Sequence, residues 1–263
     1  MPKNDTTFRT VRLSPQRLAI VDSLRAARRK PAIHFLGAID VTHARQALRD
    51  YEARTGQRRS FTALLIHCLA RTIDEDKTIQ AYRQGNHLVI FDDVDVCVLV
   101  EHEVGADRIA APHVLRAANR KSPAQLHEEI RAAQKSGAAA AESWRYIRFY
   151  PWFPGFVRRL FWRFLYSRPA LMKKTAGTVC VTAPGLFGSG GDWGLPVSGY
   201  TLTVTVGGIA GKEEIIDGQR VRREELSLTI SVDHEIVDGA MLARFAERFR
   251  RRIERLTPDL ESV

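Results

Sequence analysis

An alternating run near the C-terminus, ELSLTISV at residues 225–232, constrains the fold more than any other feature of the chain. Its aliphatic residues stand at every second position with hydroxyl residues between them, so an extended chain places the two sets on opposite faces. DHEIVDG follows at 233–239, and then GAMLARFAERFRRRIERL, whose apolar period is helical. The order predicts a long strand, a tight polar turn and an amphipathic helix.

Helix and strand signals also alternate through the rest of the chain. Ser14-Pro15 is typical of a helix start, followed by an apolar stripe of Leu18, Val21 and Leu24. We predict further helices after Thr42, Ser60 and Ser122, the last with a capping box completed by Gln125. Predicted strands are AIHFLGAID, NHLVIF and VDVCVLVE, the last two as neighbours, then GTVCVTA, YTLTVTVGG and KEEIID. We interpret residues 1–263 as one α/β domain.

Composition limits the class of protein. The chain has 263 residues, 44% of them hydrophobic and 27% charged, which is typical of a globular protein. No apolar stretch is long enough for a membrane span and the N-terminus lacks a secretory signal, so we predict a cytoplasmic protein. Cys68, Cys97 and Cys180 are odd in number and lie in apolar runs, which favours buried free thiols over disulfides.

The charge balance narrows the range of partners without choosing one. The net charge of +10 suits nucleic acid, an anionic membrane or a phosphate-bearing cofactor. The basic clusters lie on predicted helices and resemble no nucleic-acid motif, so we expect no nucleic-acid partner. Metal-ligand spacings are also absent from the sequence, and we expect no metal site.

The turn after the long strand places His234 four residues before Asp238. A histidine at a strand end can accept a proton near neutral pH if its ring orientation is fixed, and Asp238 could support it, with Gly239 allowing close backbone approach. A polar turn between a strand and a helix accounts for the same residues. The spacing alone leaves both interpretations open.

RREELSLTISVDHEIVDGAMLARF, residues 222–245, resembles the C-terminal signature of the acyltransferase component of 2-oxo-acid dehydrogenase complexes: a strand, DHR, two aliphatic residues and DG. Glu235 departs from that signature. VRLSPQRLAIVDSLRAARRKPAIHFLGAID, FTALLIHCLARTID and GTVCVTAPGLFG are similar to upstream elements of the family in the same order, over roughly 10–256. The resemblance implies a chloramphenicol acetyltransferase-like two-layer α/β sandwich, with a mixed β-sheet and flanking helices.

The resemblance also implies a chemistry. His234 matches the general base that deprotonates a thiol, of coenzyme A or dihydrolipoamide, for direct attack on a thioester. Thr182 matches the hydroxyl that stabilises the oxyanion, and Asp238 the residue that shapes the corner of the base. Coenzyme A is then a substrate and no covalent acyl-enzyme forms. Members of the family form trimers, with the base and the hydroxyl on neighbouring subunits, so a homotrimer or an assembly of trimers is implied.

Two departures from the family leave the acceptor open. The chain shows no lipoyl or subunit-binding domain, so we expect no covalently bound lipoyl group on it. Either a separate lipoyl carrier protein supplies that group or the acceptor is a different one. A non-catalytic trimeric scaffold and a membrane-associated acyltransferase acting on a lipid-like acceptor remain as alternatives.

Residues 138–175 form a divergent aromatic and basic insertion, centred on WRYIRFYPWFPGFVRRLFWRFLYSR at 144–168. This segment could line a wide acyl pocket, hold coenzyme A phosphates through Arg158, Arg159 and Arg163, or lie in a membrane interface. The alternative is that its aromatic residues fill the core or a subunit interface. Outside it, His34 and His67 are predicted to be core histidines with satisfied hydrogen bonds.

Overall fold

The structure is a computed structural model that describes residues 8–28, 30–104, 107–135, 146–187 and 190–256. Its main sheet consists of β1 (Ala32–Asp40), β4 (Val96–Val104), β5 (Asp107–Leu115), β6 (Val179–Thr182), β7 (Leu202–Ile216) and β8 (Gln219–Asp233). The strand order is β1-β8-β7-β6-β4-β5. The sheet is mixed, because β6 runs parallel to β4 and β7 and the other pairs are antiparallel.

The helices are α1 (Pro15–Ala27), α2 (Thr42–Thr55), α3 (Phe61–Glu75), α4 (Pro123–Lys135), α5 (Gly155–Tyr166), α6 (Pro169–Ala176) and α7 (Gly239–Glu254), and a 3-10 helix spans Tyr146–Trp152. The predicted caps at Ser14 and Ser60 are confirmed, because each side chain accepts a backbone N–H of the first helical turn. The capping box is also confirmed, since Ser122 and Gln125 bond each other's backbone N–H.

The core lies between the sheet and α3, α4 and α7. The aliphatic face of β8 packs there together with the valines of β4 and β6 and Phe245 and Phe249 of α7. The hydroxyl face of β8 is buried as well, and Ser227 donates a hydrogen bond to the Gly191 carbonyl. The long strand is therefore enclosed on both faces, as a central strand of a sandwich requires.

Strand pairing differs from the sequence prediction in two places. The residues of NHLVIF do not pair with β4. They contribute β3 (His87–Val89), which forms a separate hairpin with β2 (Tyr82–Gln84), while β4 pairs with β5. YTLTVTVGG and KEEIID merge into the single strand β7, with a bulge between Val206 and Ile209. Alternation marks each segment as extended, but pairing partners are set by distant contacts.

The three cysteines are free thiols, as predicted, and Cys68 and Cys97 are buried. Cys97 and Cys180 are distant in sequence yet stand opposite each other in the β4–β6 register. Cys180 is only half-buried. Within the described ranges, we find no cluster of three or more His, Cys, Asp or Glu side chains arranged as a metal site.

Asp22 of α1 connects this helix to the inserted segment. The apolar stripe predicted for α1 did not include Asp22 among the buried positions. Leu24 of that stripe is exposed, whereas Asp22 is only 2% exposed. Tyr150 donates a hydrogen bond to the Asp22 carboxylate at 2.9 Å, and Trp162 Nε1 donates to the Tyr150 hydroxyl at 2.9 Å. Burial raises the pKa of Tyr150 to about 12, which keeps its hydroxyl protonated as the donor. Arg158 Nε lies 3.3 Å from the same carboxylate.

We expect Asp22→Ala to lower the free energy of unfolding by about 3 kcal/mol, because it leaves the inward-facing Arg158 without its countercharge. Urea denaturation followed by tryptophan fluorescence measures the change. Asp50→Ala is the matched control, since Asp50 lies exposed on α2 and its loss costs about 0.5 kcal/mol or less. Equal midpoints for the two variants would show that Asp22 does not anchor the insertion.

Candidate active site

His234 lies in the turn that directly follows β8, and its side chain is exposed. Its backbone N–H donates to the Pro31 carbonyl at 2.7 Å, and its Nδ1 lies 3.0 Å from the Val237 carbonyl oxygen. A carbonyl oxygen can only accept, so Nδ1 carries the hydrogen of the neutral ring. Nε2 is then left unprotonated, which is the form a general base needs.

The Asp238 side chain contacts the backbone that follows the turn containing His234, and not the histidine ring. Its Oδ1 accepts the Met241 backbone N–H at 2.7 Å, which makes Asp238 the N-cap of α7. The residue before it, Val237, carries the carbonyl that holds the His234 ring. No hydrogen bond or ion pair joins the two side chains in the described part of the chain. A Cβ at Gly239 would meet nothing within 4 Å, so the expected close approach there is wrong.

Charged pairs hold both neighbours of His234 in the turn. The buried Asp233 lies 3.0 Å from Lys30 Nζ, and its Oδ1 accepts the Glu235 backbone N–H at 3.1 Å. Glu235, the departure from the family signature, lies 2.9 Å from Arg83 Nη1. The extra carboxylate therefore has its own countercharge on the β2–β3 hairpin.

Thr182 ends β6 and is half-buried. Its side chain lines a cavity of about 380 Å³ with Cys180 and Thr203 on the sheet and the 194–200 segment above it. Thr182 pairs with Thr205, and Thr205 pairs with Thr229, so the three threonines form one row across β6, β7 and β8. Thr182 therefore lies beside this cavity.

The structure does not bring His234 and Thr182 together within one chain. His234 lies five residues beyond Thr229 along β8, and two strand spacings separate β8 from β6. At about 3.4 Å per residue and about 4.8 Å per strand, their backbones are roughly 20 Å apart. A base and an oxyanion donor that serve one carbonyl must each lie within about 3 Å of the reacting atoms.

A second cavity, of about 950 Å³, opens beside the His234 turn. Side chains of Asp233 and Glu235 line one wall, and the insertion helix α5 lines another through Arg159 and Arg163. No ion pair joins either arginine to a carboxylate of the described residues. Arg158, predicted to act with them, does not line this cavity, and its Nε lies 3.3 Å from the Asp22 carboxylate.

A polar row across the sheet was not recognised in the sequence. The strand register places five residues side by side on five strands: Cys97, Cys180, Thr203, Ser231 and His34. His34 was predicted to be a core residue, but it is exposed, with its Nδ1 2.8 Å from the Ser231 hydroxyl. Alternating hydroxyls in β7 and β8 were the available signal, yet the register that aligns them cannot be read from the sequence. His67 is half-buried and bonded to the Lys121 carbonyl, as predicted, and burial lowers its pKa.

The geometry can be compared with known proteins. The profile of the 2-oxoacid dehydrogenases acyltransferase (catalytic domain) family matches residues 5–142 and 169–260. The chain belongs to this acyltransferase family. The unmatched residues between the two segments, 143–168, contain the centre of the aromatic and basic insertion at 144–168, whereas the ends of the predicted 138–175 segment match the family. None of the curated proteins compared with the sequence matches it.

Solved structures of acyltransferases share the fold. A probable dihydrolipoamide acetyltransferase from Listeria monocytogenes superimposes with a TM-score of 0.71 at 17% identity, over 96% of this chain and 97% of that one. The Azotobacter vinelandii dihydrolipoamide acetyltransferase, studied for the catalytic role of a serine, a histidine and an asparagine, gives 0.70 at 16%, over 97% and 96%. A truncated catalytic core of the 2-oxoacid dehydrogenase multienzyme complex from Thermoplasma acidophilum gives 0.68 at 17%, over 96% and 100%. The predicted α/β fold is confirmed.

Proposed function

We propose that this acyltransferase moves an acyl group between coenzyme A and an acceptor thiol, with His234 as the general base. The contact between His234 Nδ1 and the Val237 carbonyl carries the proposal, because it fixes the tautomer and leaves Nε2 free at an exposed position. A polar turn without catalytic function needs no such constraint on the ring. The Asp238 cap of α7 holds the Val237 carbonyl in place and is a positioning residue.

The reaction proceeds by direct attack. His234 Nε2 takes the proton of the acceptor thiol, and the thiolate adds to the thioester carbonyl to form a tetrahedral oxyanion. The carbon–sulfur bond to coenzyme A then breaks, and the departing thiolate takes the proton from His234. Base and proton donor are the same nitrogen, so the enzyme returns to its starting state without an acyl-enzyme.

The oxyanion donor is Thr182 of a neighbouring subunit. The separation of roughly 20 Å between His234 and Thr182 within one chain leaves this as the arrangement in which both reach one thioester. In the Azotobacter enzyme, the serine and histidine stand as far apart in number as Thr182 and His234, and the asparagine follows at the spacing of Asp238. Threonine and aspartate replace serine and asparagine here, and each keeps an oxygen that can bond.

The surface around Thr182 fits a subunit contact. Three large apolar side chains that line its cavity, Leu99, Leu195 and Val197, are about half or more exposed in the single chain. Exposed apolar residues grouped around a cavity are typical of protein interfaces. A homotrimer that covers this face brings the base of one subunit to the hydroxyl of the next.

The larger cavity suits the phosphates of coenzyme A. Arg159 and Arg163 face it without carboxylate partners among the described residues, and guanidinium groups bind phosphate through paired hydrogen bonds. The cavity is next to Asp233 and Glu235, on either side of the base in sequence. Phe156 and Leu160 give the same wall an apolar part.

The test is release of coenzyme A from a panel of acyl-coenzyme A donors, with and without dihydrolipoamide, at neutral pH. We expect release that requires dihydrolipoamide, presented free or on a separate carrier protein. Arg159→Gln with Arg163→Gln should raise KM for the donor about tenfold or more, because a hydrogen bond to a charged group contributes about 1.5–3 kcal/mol. If no pair of donor and acceptor gives release of coenzyme A, a non-catalytic scaffold of the same fold is favoured.

A further inference from the structure

The insertion presents an exposed aromatic surface that neither cavity uses. We define the aromatic surface by Phe149, Trp152, Phe153, Phe161 and Phe164, which are 37%, 80%, 53%, 51% and 49% exposed. None of them lines the cavities beside His234 or Thr182. Soluble proteins rarely leave a group of large aromatic side chains in water without a function for it.

The buried face of the insertion explains why these residues point outward. Arg158 and Trp162 of α5 turn toward α1, where they meet Asp22 and Tyr150, and Leu165 packs in a small satellite core. The polar network thus occupies the inner face of the helix. Helical spacing turns Phe164 away from this face and places Phe161 at its edge, and both side chains are about half exposed.

The aromatic surface spans two segments of the chain. The hydrogen bond from Trp162 to Tyr150 holds α5 beside the 146–152 segment. Phe149 makes an edge contact with Trp152, their ring centres 5.5 Å apart. The exposed aromatic residues of the two segments therefore belong to one packed unit, which we call the patch.

The segment that carries the patch has charged residues of one sign. No Asp or Glu occurs from residue 143 to residue 191. Arg148 stacks over Phe149 at 4.6 Å, and Arg168 stacks over Phe164 at 5.2 Å. Both arginines are exposed, and neither forms an ion pair with a carboxylate among the residues that the structure describes.

We propose that the aromatic surface docks on an anionic lipid bilayer, with its rings at the headgroup boundary and Arg148 and Arg168 against lipid phosphates. Exposed Trp and Phe beside Arg are the composition of interfacial helices, and acid-free basic surfaces are attracted to anionic lipid. A symmetric contact between two copies through this patch would place arginines against arginines. No helix among the described residues is long and apolar enough to cross a membrane.

The test is sedimentation with vesicles of phosphatidylcholine containing phosphatidylglycerol, and with phosphatidylcholine alone. We expect binding to the anionic vesicles that falls with added salt, and loss of at least about tenfold in partitioning for Phe161→Ser with Phe164→Ser. Ile215→Ser is the matched control, because Ile215 is 76% exposed at the far end of β7 and lies outside the patch. Arg148→Gln with Arg168→Gln should weaken binding, whereas Arg220→Gln should not.

Sedimentation velocity without lipid separates docking from self-association. The Phe161→Ser, Phe164→Ser variant is expected to keep the oligomeric state and the acyl-transfer rate of the unmodified protein in solution. No binding to anionic vesicles at low salt overturns the proposal, as does equal binding by this variant. A smaller oligomer for the variant, or binding of a single-stranded oligonucleotide in preference to vesicles, also overturns it and assigns the patch to another partner.

Discussion

Replacement of His234 by alanine is expected to lower kcat for acyl transfer by about 10³-fold, with a much smaller effect on KM for acyl-coenzyme A. Removal of the ring removes the group that takes the thiol proton, and the exposed turn offers no second base whose tautomer is fixed in the same way. Asparagine at this position should be as inactive as alanine, since an amide does not accept the proton at neutral pH. Initial rates with dihydrolipoamide as acceptor measure the loss.

His43→Gln is the matched control, because His43 is an exposed histidine on α2, away from the turn after β8. Its rate should equal that of the unmodified protein. Both histidine variants are expected to unfold at the same urea concentration as the parent, because both positions are exposed. A His234→Ala protein with unchanged kcat would remove His234 from the mechanism and return the turn to a purely structural role.

Local signals predicted much of the fold because they concern neighbours in sequence. The caps at Ser14 and Ser60 and the capping box at Ser122 satisfy backbone donors within three residues, and all three occur where predicted. Strand pairing, in contrast, depends on residues that are far apart in sequence. The residues of NHLVIF lie close to β4 in sequence, but β3 pairs with β2, and the register that joins Cys97 to His34 across five strands depends on contacts far apart in the chain.

The sequence supplied the candidate site residues but not their arrangement in space. DHEIVDG identified His234 and Asp238, and the GTVCVT strand identified Thr182. The number of residues between Thr182 and His234 does not determine how far apart they lie in the fold. Their separation of roughly 20 Å follows from the strand register. The inward orientation of Arg158 could not be predicted either. It depends on Asp22, a charged residue that a search for apolar positions in α1 does not select.

The insertion shows why aromatic content alone does not predict burial. Of the aromatic residues that one interpretation assigned to a core or a subunit interface, Trp162 is half-buried on the inner face of α5, whereas Trp152, Phe153, Phe156 and Phe161 are exposed in the single chain. The inner face of α5 is already occupied by Arg158 and its partners. The rings outside that face are left exposed, and groups of exposed apolar residues are typical of surfaces that bind a partner.

Thr182→Val is expected to lower kcat by about 10²-fold, because valine keeps the shape of the side chain and removes the hydroxyl that we propose as the oxyanion donor. The rate should fall without a matching rise in KM, since the oxyanion exists only in the transition state and the intermediate. Steady-state kinetics with the same donor and acceptor as for His234 measure this split. Thr182→Ser is the conservative control and should retain most of the rate.

Mixing the two inactive proteins tests whether the site lies between subunits. His234→Ala and Thr182→Val chains, unfolded together and refolded at equal amounts, should regain about a quarter of the parent rate, because about a quarter of the interfaces then join an intact His234 to an intact Thr182. Each variant refolded alone stays inactive. A site inside one chain cannot be restored this way, so a mixture as inactive as its parts would place base and hydroxyl on the same subunit and overturn the shared site.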